Sequence, residues 1–76
     1  MTANPIEKGR YQHYKGGLYE VISEAVHTET LEVVVVYKAL QDSGQYPPDT
    51  LWVRPKKMFE EEVEIAGAKI PRFKKL

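Results

Sequence analysis

No cysteine occurs in the sequence. This absence excludes disulfide bonds, zinc sites with cysteine ligands and thiol catalysis, and it favours a reducing compartment, with the cytoplasm as the expected location. Long apolar runs are also missing: none approaches the roughly 18 residues of a membrane-spanning helix, and residues 1–8 lack the apolar segment of a secretory signal. The sequence therefore predicts neither secretion nor membrane insertion.

Charge of one sign is not in excess either. Eleven Lys and Arg residues balance eleven Asp and Glu residues, so the whole chain has no net attraction for nucleic acid or for an anionic membrane. Such a partner would have to be recognised locally. With 76 residues, 42% of them hydrophobic, the chain has enough apolar material for one core. We expect a single small domain whose core is dominated by aromatic side chains.

The longest stretch of β-branched and aromatic residues, 31–40, organises the predicted fold. Its composition favours a central strand. Val35 and Tyr37 face one side of this strand, and Val34 and Val36 face the other, so both faces are apolar. Two apolar faces are typical of a strand whose sheet curls over its own core. The pattern therefore predicts a small closed barrel in preference to an open sheet.

Short strands separated by turn residues surround this central strand. In the second strand we expect Glu20 and Glu24 on the polar face, and the apolar Ile22 on that face indicates either a bend or partial burial on both sides of the strand. Before the central strand, the predicted elements are a flexible tail at 1–8, a strand at 9–14, a turn at Gly16-Gly17, a strand at 18–26 and a turn at 27–30. After it, a loop at 41–50, which contains an Asp-Ser-Gly turn, leads to a strand at 51–54 and a helical turn at 56–59. The chain then continues with a last core strand at 60–65, in which Val63 and Ile65 face inward, an edge strand at 69–73 and a basic end at 74–76.

This order predicts an all-β fold: an SH3-like barrel of about five antiparallel strands, with one short helical turn before the last core strand. The domain is expected to span residues 9–73. The helical turn would place Met58 or Phe59 in the core.

Several short motifs together resemble a family of short bacterial proteins, domain-of-unknown-function family 1653. The resemblance spans roughly residues 9 to 73 and implies a bacterial protein that is complete as one domain, with no agreed activity. The loop at 41–50 departs from the family pattern, because it looks longer and carries Pro47-Pro48. The motifs are Gly9-Arg10-Tyr11-Gln12-His13-Tyr14-Lys15-Gly16, Leu18-Tyr19-Glu20-Val21, His27 with Glu29-Thr30, Val36-Tyr37, Leu51-Trp52-Val53-Arg54-Pro55, Met58-Phe59 and Pro71-Arg72-Phe73.

Residues for catalysis are sparse. His13 and His27 are the only histidines, and there is no cysteine or nucleophile-elbow pattern. His27 with Glu29 and Thr30 can form an acid–base or nucleophile arrangement in a tight loop, but the favoured interpretation is that these residues hydrogen-bond the backbone of the turn and close the end of the strand. A metal site would need His13, His27 and Glu29 to converge, and no spacing requires this. No cofactor is implied.

A binding surface fits the aromatic content better. Tyr11, Tyr14, Tyr46 and Trp52 are more aromatic side chains than so small a barrel readily buries, although Tyr11 is expected in the core and Trp52 in the core or part-buried. Exposed aromatic side chains suit bases, proline-rich peptides or methylated lysine. Arg54 is expected on the opposite face of the strand from Trp52.

We therefore predict a non-enzymatic module that binds a peptide, protein or nucleic-acid segment through a rim formed by the turn at 27–30 and the Trp52 strand. A small enzyme or ligand-binding regulator that uses His27 and Glu29 is the alternative, and a homodimer through the edge strand at 69–73 is a third possibility. The predicted partner-binding residues are His27, Glu29, Thr30, Trp52 and Arg54; the predicted phosphate contacts, if the partner is a nucleic acid, are Lys56, Lys57, Arg72, Lys74 and Lys75.

Overall fold

Seven strands and one helical turn make up the part of the chain that the computed structural model describes, residues 5–41 and 44–76. This confirms the predicted all-β class and the single short helix before a later strand. The elements are β1 (Gly9–His13), β2 (Leu18–Val26), β3 (Val33–Ala39), β4 (Leu51–Pro55), α1 (Lys56–Phe59), β5 (Glu62–Ile65), β6 (Ala68–Pro71) and β7 (Phe73–Lys75).

The sheet does not close into a barrel. Five antiparallel strands pair in the order β4-β3-β2-β1-β7, while β5 and β6 form a separate hairpin. Within the described ranges β4 and β7 are therefore the two edges of an open sheet. The prediction of a closed barrel was wrong. The second face of β3 is apolar although the sheet is open, because Val34 lies opposite Ala25 of β2 and Pro55 of β4, and these neighbouring strands shield it from water.

A bulge in β2 changes which side of the sheet its residues face. Val21 pairs with Tyr37, but the next pair is Ser23 with Val36, which leaves Ile22 as the extra residue. Of the two alternatives predicted for Ile22, the bulge supports the bend, and the side chain is exposed. The predicted outward direction of Glu24 is wrong, because beyond the bulge Glu24 lies opposite Val35 and shares its core-facing side.

Glu24 is held there by two polar contacts. Its carboxylate lies 2.6 Å from the ammonium of Lys56, the first residue of α1, and accepts a 2.7 Å hydrogen bond from the backbone N–H of Ile6. Lys56 is only 5% exposed. The ion pair therefore joins the N-terminal segment, β2 and α1 beneath the sheet.

Aromatic rings form the centre of the core, as the composition predicts. Phe59 of α1 stacks on Phe73 of β7 with ring centroids 4.1 Å apart, and Tyr11 and Tyr37 each contact Phe59 at 5.4 Å. Of the two candidates in α1, Phe59 is buried and Met58 is exposed. These contacts attach β1, β3 and β7 of the main sheet to the helical turn.

The predicted last core strand is wrong in position. Val63 of β5 is half-buried and Ile65 is exposed, because β5 pairs only with β6 in the separate hairpin. The strand that completes the core is β7, which pairs with β1 and contributes the buried Phe73. The predicted edge strand at 69–73 accordingly divides at Arg72 between β6 and β7.

Both ends of the described chain contact the sheet. The Tyr11 hydroxyl donates a 2.8 Å hydrogen bond to the carbonyl of Glu7, and Lys74 and Lys75, which were assigned to a basic end, lie in β7. Residues 1–4 of the predicted tail, and Asp42 and Ser43 of the predicted Asp-Ser-Gly turn, lie outside the described residues. In the described ranges no helix has the length and apolar character needed to span a membrane.

Candidate binding site

The predicted residues of the turn after β2 make hydrogen bonds within that turn. The imidazole Nδ1 of His27 accepts hydrogen bonds from the backbone N–H groups of Glu29 and Thr30, at 3.2 and 3.3 Å. The Thr30 hydroxyl accepts another from the N–H of Glu32 at 3.2 Å. The backbone of His27 closes the same turn by pairing with Glu32 and Leu31. All three predicted side chains are exposed, and the imidazole of His27 and the hydroxyl of Thr30 stabilise the reversal from β2 to β3.

Trp52 and Arg54, the other two predicted residues, share one face of β4. The register places Trp52 opposite Tyr37 and Arg54 opposite Val35, both on the core-facing side of the sheet. The expectation that they point in opposite directions was wrong, because residues two apart in a strand share a face. Both side chains are half-buried.

The two halves of the predicted rim lie at opposite ends of the β2–β3 hairpin. Tyr19 pairs with Ala39 at one end, beside Trp52, and Val26 pairs with Val33 at the other, beside His27. Six residue steps along β3, from Val33 to Ala39, separate these ends by roughly 20 Å. The structure therefore does not bring the turn at 27–30 together with Trp52 and Arg54 in one site.

Trp52 and Arg54 instead line a cavity of about 330 Å³ at the open end of the core-facing side, which we call the Trp52 pocket. Its aromatic walls are Tyr19, Tyr37, Tyr46 and Trp52, and its remaining lining is Ala39, Gln41, Gln45 and Arg54. Tyr46 meets Trp52 edge to face at 4.9 Å, and Tyr19 meets Tyr37 in the same way at 5.5 Å. Neither Asp nor Glu belongs to this lining in the described ranges.

Arg54 is held in place by its neighbours. Its Nε donates a 3.3 Å hydrogen bond to the Tyr37 hydroxyl, and its guanidinium carbon lies 5.6 Å from the centroid of the Phe73 ring. Among residues 5–41 and 44–76 no carboxylate lies within 4.0 Å of this guanidinium. The pocket therefore contains a positioned cation whose charge no described acidic side chain offsets by contact.

His13 connects the Trp52 pocket with a second cavity. The His13 ring contacts Tyr19 at 6.4 Å between centroids and lines a cavity of about 440 Å³, the His13 pocket, to which Ile70 and Lys74 also contribute. Burial lowers the pKa of His13 below its ordinary value, and the positive charges of Arg54, Arg72 and Lys15 lower it further. Three cations thus act on one imidazole at this end of the sheet, although the chain as a whole is neutral.

The predicted phosphate contacts are not equivalent in the structure. Lys56 is buried against Glu24, and Arg72 forms a 2.7 Å ion pair with Glu61, which joins the two ends of the β5–β6 hairpin. Lys57, Lys74 and Lys75 are exposed. Lys56 is therefore not placed to contact an external phosphate.

Sequence reasoning did not identify most of the Trp52 pocket. Tyr19 and Tyr37 read as core residues, and the two glutamines stand in a segment that shows only turn residues. The sequence does not show how the strands are paired. Only the strand register, which pairs Trp52 with Tyr37 and Tyr19 with Ala39, brings these side chains together. The described residues contain no group of three or more His, Asp or Glu side chains arranged for a metal.

Comparisons with known proteins agree on one family. The model of the family described as "Protein of unknown function (DUF1653)" matches residues 9–75. A crystal structure of a DUF1653 protein from Bordetella bronchiseptica is 34% identical in sequence and superposes with a TM-score of 0.82, covering 93% of this chain and 87% of that one. No curated protein matches.

Proposed function

Because the chain belongs to the DUF1653 family, whose description names no function, we propose from its geometry that it is a non-enzymatic binding module whose ligand site is the Trp52 pocket. The ligand is a segment of a peptide, protein or nucleic acid that presents a flat or apolar group beside a negative charge. The observation that supports this most strongly is the position of the Arg54 guanidinium, fixed by Tyr37 and Phe73 at the wall of an aromatic pocket.

The size and lining of the pocket suit binding. About 330 Å³ lies in the range of cavities that accept small molecules or single side groups. Aromatic walls supply a large contact area at a small cost in side-chain entropy, because each ring has few rotatable bonds. Core contacts hold Tyr19, Tyr37 and Trp52 from within, so the pocket is formed before a ligand arrives.

The alternative function, chemistry at His27 and Glu29, has less support. It requires a concave site that contains both side chains, and neither lines the cavities described above. The Nδ1 atom of His27, one of its two possible acid–base atoms, is occupied by backbone donors of its own turn. We therefore place the function at the opposite end of the hairpin.

Nuclear magnetic resonance titration tests the proposal. Amide and indole N–H signals are followed while peptide pools and single-stranded oligonucleotides are added to high micromolar concentration. Binding at the proposed site shifts the Trp52 indole signal and the amides of Tyr37 and Arg54, while the amides of His27 and Glu29 stay unmoved and serve as an internal control. Shifts confined to the turn at 27–30, or no shifts with any ligand, would contradict the proposal.

A further inference from the structure

We infer that the Trp52 pocket receives one base of a single-stranded nucleic acid and that Arg54 contacts the adjoining phosphate. This inference rests on the proposed function and names its ligand class. It differs from binding through the basic C-terminal strand, because the contacts come from the core-facing side of the main sheet.

The walls of the pocket match a planar ring. Four aromatic side chains surround a volume that can hold one base, and every base has a π-face that stacks on such rings. The most exposed of them, Tyr46, stands edge-on to Trp52. Stacking of this kind does not depend on sequence and binds an unpaired base more readily than one within a duplex.

Two side-chain amides supply polar groups for the edge of a base. The carbonyl oxygen of the Gln41 side chain accepts a 2.9 Å hydrogen bond from the backbone N–H of Leu18. This bond assigns the orientation of the amide, whose NH₂ group is a hydrogen-bond donor. Gln45 lines the same pocket and is exposed. Carboxamides offer both donors and acceptors, which the Watson–Crick edges of bases also carry.

The charges around the pocket favour phosphate. Arg54 stands in the wall, and Lys15, Arg72 and Lys74 lie on the His13 side, where Glu61 pairs with Arg72. The contact between His13 and Tyr19 joins the linings of the Trp52 and His13 pockets. A strand of nucleic acid that enters the Trp52 pocket therefore meets further cations in one direction. An acidic peptide would satisfy these cations, but it would leave the planar walls and the two amides without a matching group.

Trp52 is the only tryptophan of the chain, so its fluorescence reports on the pocket directly. The test titrates the protein with six-nucleotide oligo(U) and oligo(A) and, separately, with a hexaglutamate peptide that ends in phenylalanine, at several salt concentrations. The oligonucleotides should quench the emission, with an affinity that falls as salt rises. Tyr46→Ala should weaken binding at least about fivefold, because it removes one stacking surface.

Two arginine variants and one control separate the contact with phosphate from bulk charge. Arg54→Gln should reduce the slope of log affinity against log salt by about 0.7, the value for one contact with a single strand. Arg54→Lys keeps the charge, so it should weaken binding with an unchanged slope, and it provides the test if Arg54→Gln does not fold. Lys69→Gln removes an exposed charge on β6 that lines neither pocket and should leave affinity and slope unchanged.

The outcomes distinguish this inference from the proposed function. Quenching by the peptide but not by the oligonucleotides would overturn the nucleic-acid ligand and leave the binding module standing. Oligonucleotide binding that Lys69→Gln weakens as much as Arg54→Gln, with Tyr46→Ala neutral, would also overturn it, because the contact would then be unspecific. No response to any ligand, with indole and amide signals unmoved, would contradict both.

Discussion

The ion pair between Glu24 and Lys56 allows the most direct test of the energetics of this fold. Lys56→Met removes the ammonium but keeps most of the length of the side chain, so the carboxylate of Glu24 loses a partner at 2.6 Å. Breaking a buried pair costs about 3–5 kcal/mol. Because Glu24 keeps 20% of its side chain exposed and still accepts the N–H of Ile6, we expect the lower end, about 3 kcal/mol.

That loss is large for a domain of this size. A chain of 76 residues has a free energy of unfolding of about 4 to 11 kcal/mol. A loss of about 3 kcal/mol lowers the melting temperature by about 12–24 °C for a domain of 60–100 residues. Urea unfolding followed by Trp52 fluorescence, with circular dichroism as a second probe, measures the change.

A double-mutant cycle separates the pair from its surroundings. Glu24→Gln keeps an oxygen that can accept the N–H of Ile6 while it removes the negative charge that lies 2.6 Å from the ammonium of Lys56. We expect Glu24→Gln/Lys56→Met to be more stable than the sum of the single changes predicts, by about 2 kcal/mol. A single change within about 0.5 kcal/mol of the parent protein, or strictly additive changes, would refute this account of the pair.

Three further predictions concern the core, pH and a turn. Val35→Asp places a charge at a fully buried position and should abolish cooperative unfolding. Val53→Asp, on the exposed side of β4, should change the free energy of unfolding by no more than about 0.5 kcal/mol. Equal effects of the two changes would show that the buried and exposed faces of the sheet are misassigned. In the folded protein the pKa of His13 lies below its ordinary value of 6.5, so below about pH 6.5 the unfolded state binds more protons than the folded state. The free energy of unfolding should therefore fall as the pH is lowered, and level off below the folded pKa. Urea unfolding from pH 8 to 5 should show a smaller fall for His13→Asn than for the parent protein, and an identical fall would contradict the role of His13. Ala66 and Gly67 both have positive φ, 52° and 81°, in the β5–β6 turn, so Ala66→Asn should raise the free energy of unfolding by about 0.5–1 kcal/mol, and a loss in urea unfolding would argue against strain there.

Local patterns predicted most elements of this fold because strand identity depends on side chains close in sequence. The bounds of β2 are those expected from its alternation, and Phe59 enters the core from the one helical turn. Pairing between distant segments was not predictable in the same way. Whether residues 60–65 or 73–75 complete the core depends on which segment pairs with β1, and both segments carry apolar side chains.

The candidate site shows the same limit. Trp52 and Arg54 stand out in the sequence as an aromatic and a cation in one short strand, and the structure places both in the pocket. Tyr19 and Tyr37 do not stand out, since a tyrosine on a core-facing position is usually packing. Only their cross-strand neighbours reveal that they lie where the core face opens to solvent.

The bulge at Ile22 has a consequence for relatives of this chain. One extra residue is what turns position 24 inward, so a relative whose strand lacks that residue would present its carboxylate to water. In such a relative the carboxylate would not face a buried lysine at the start of the helical turn, and that lysine would destabilise the fold. We therefore expect the extra residue, the glutamate and the lysine to occur together or to be absent together among relatives. An alignment that ignores the insertion would place these three residues in the wrong columns.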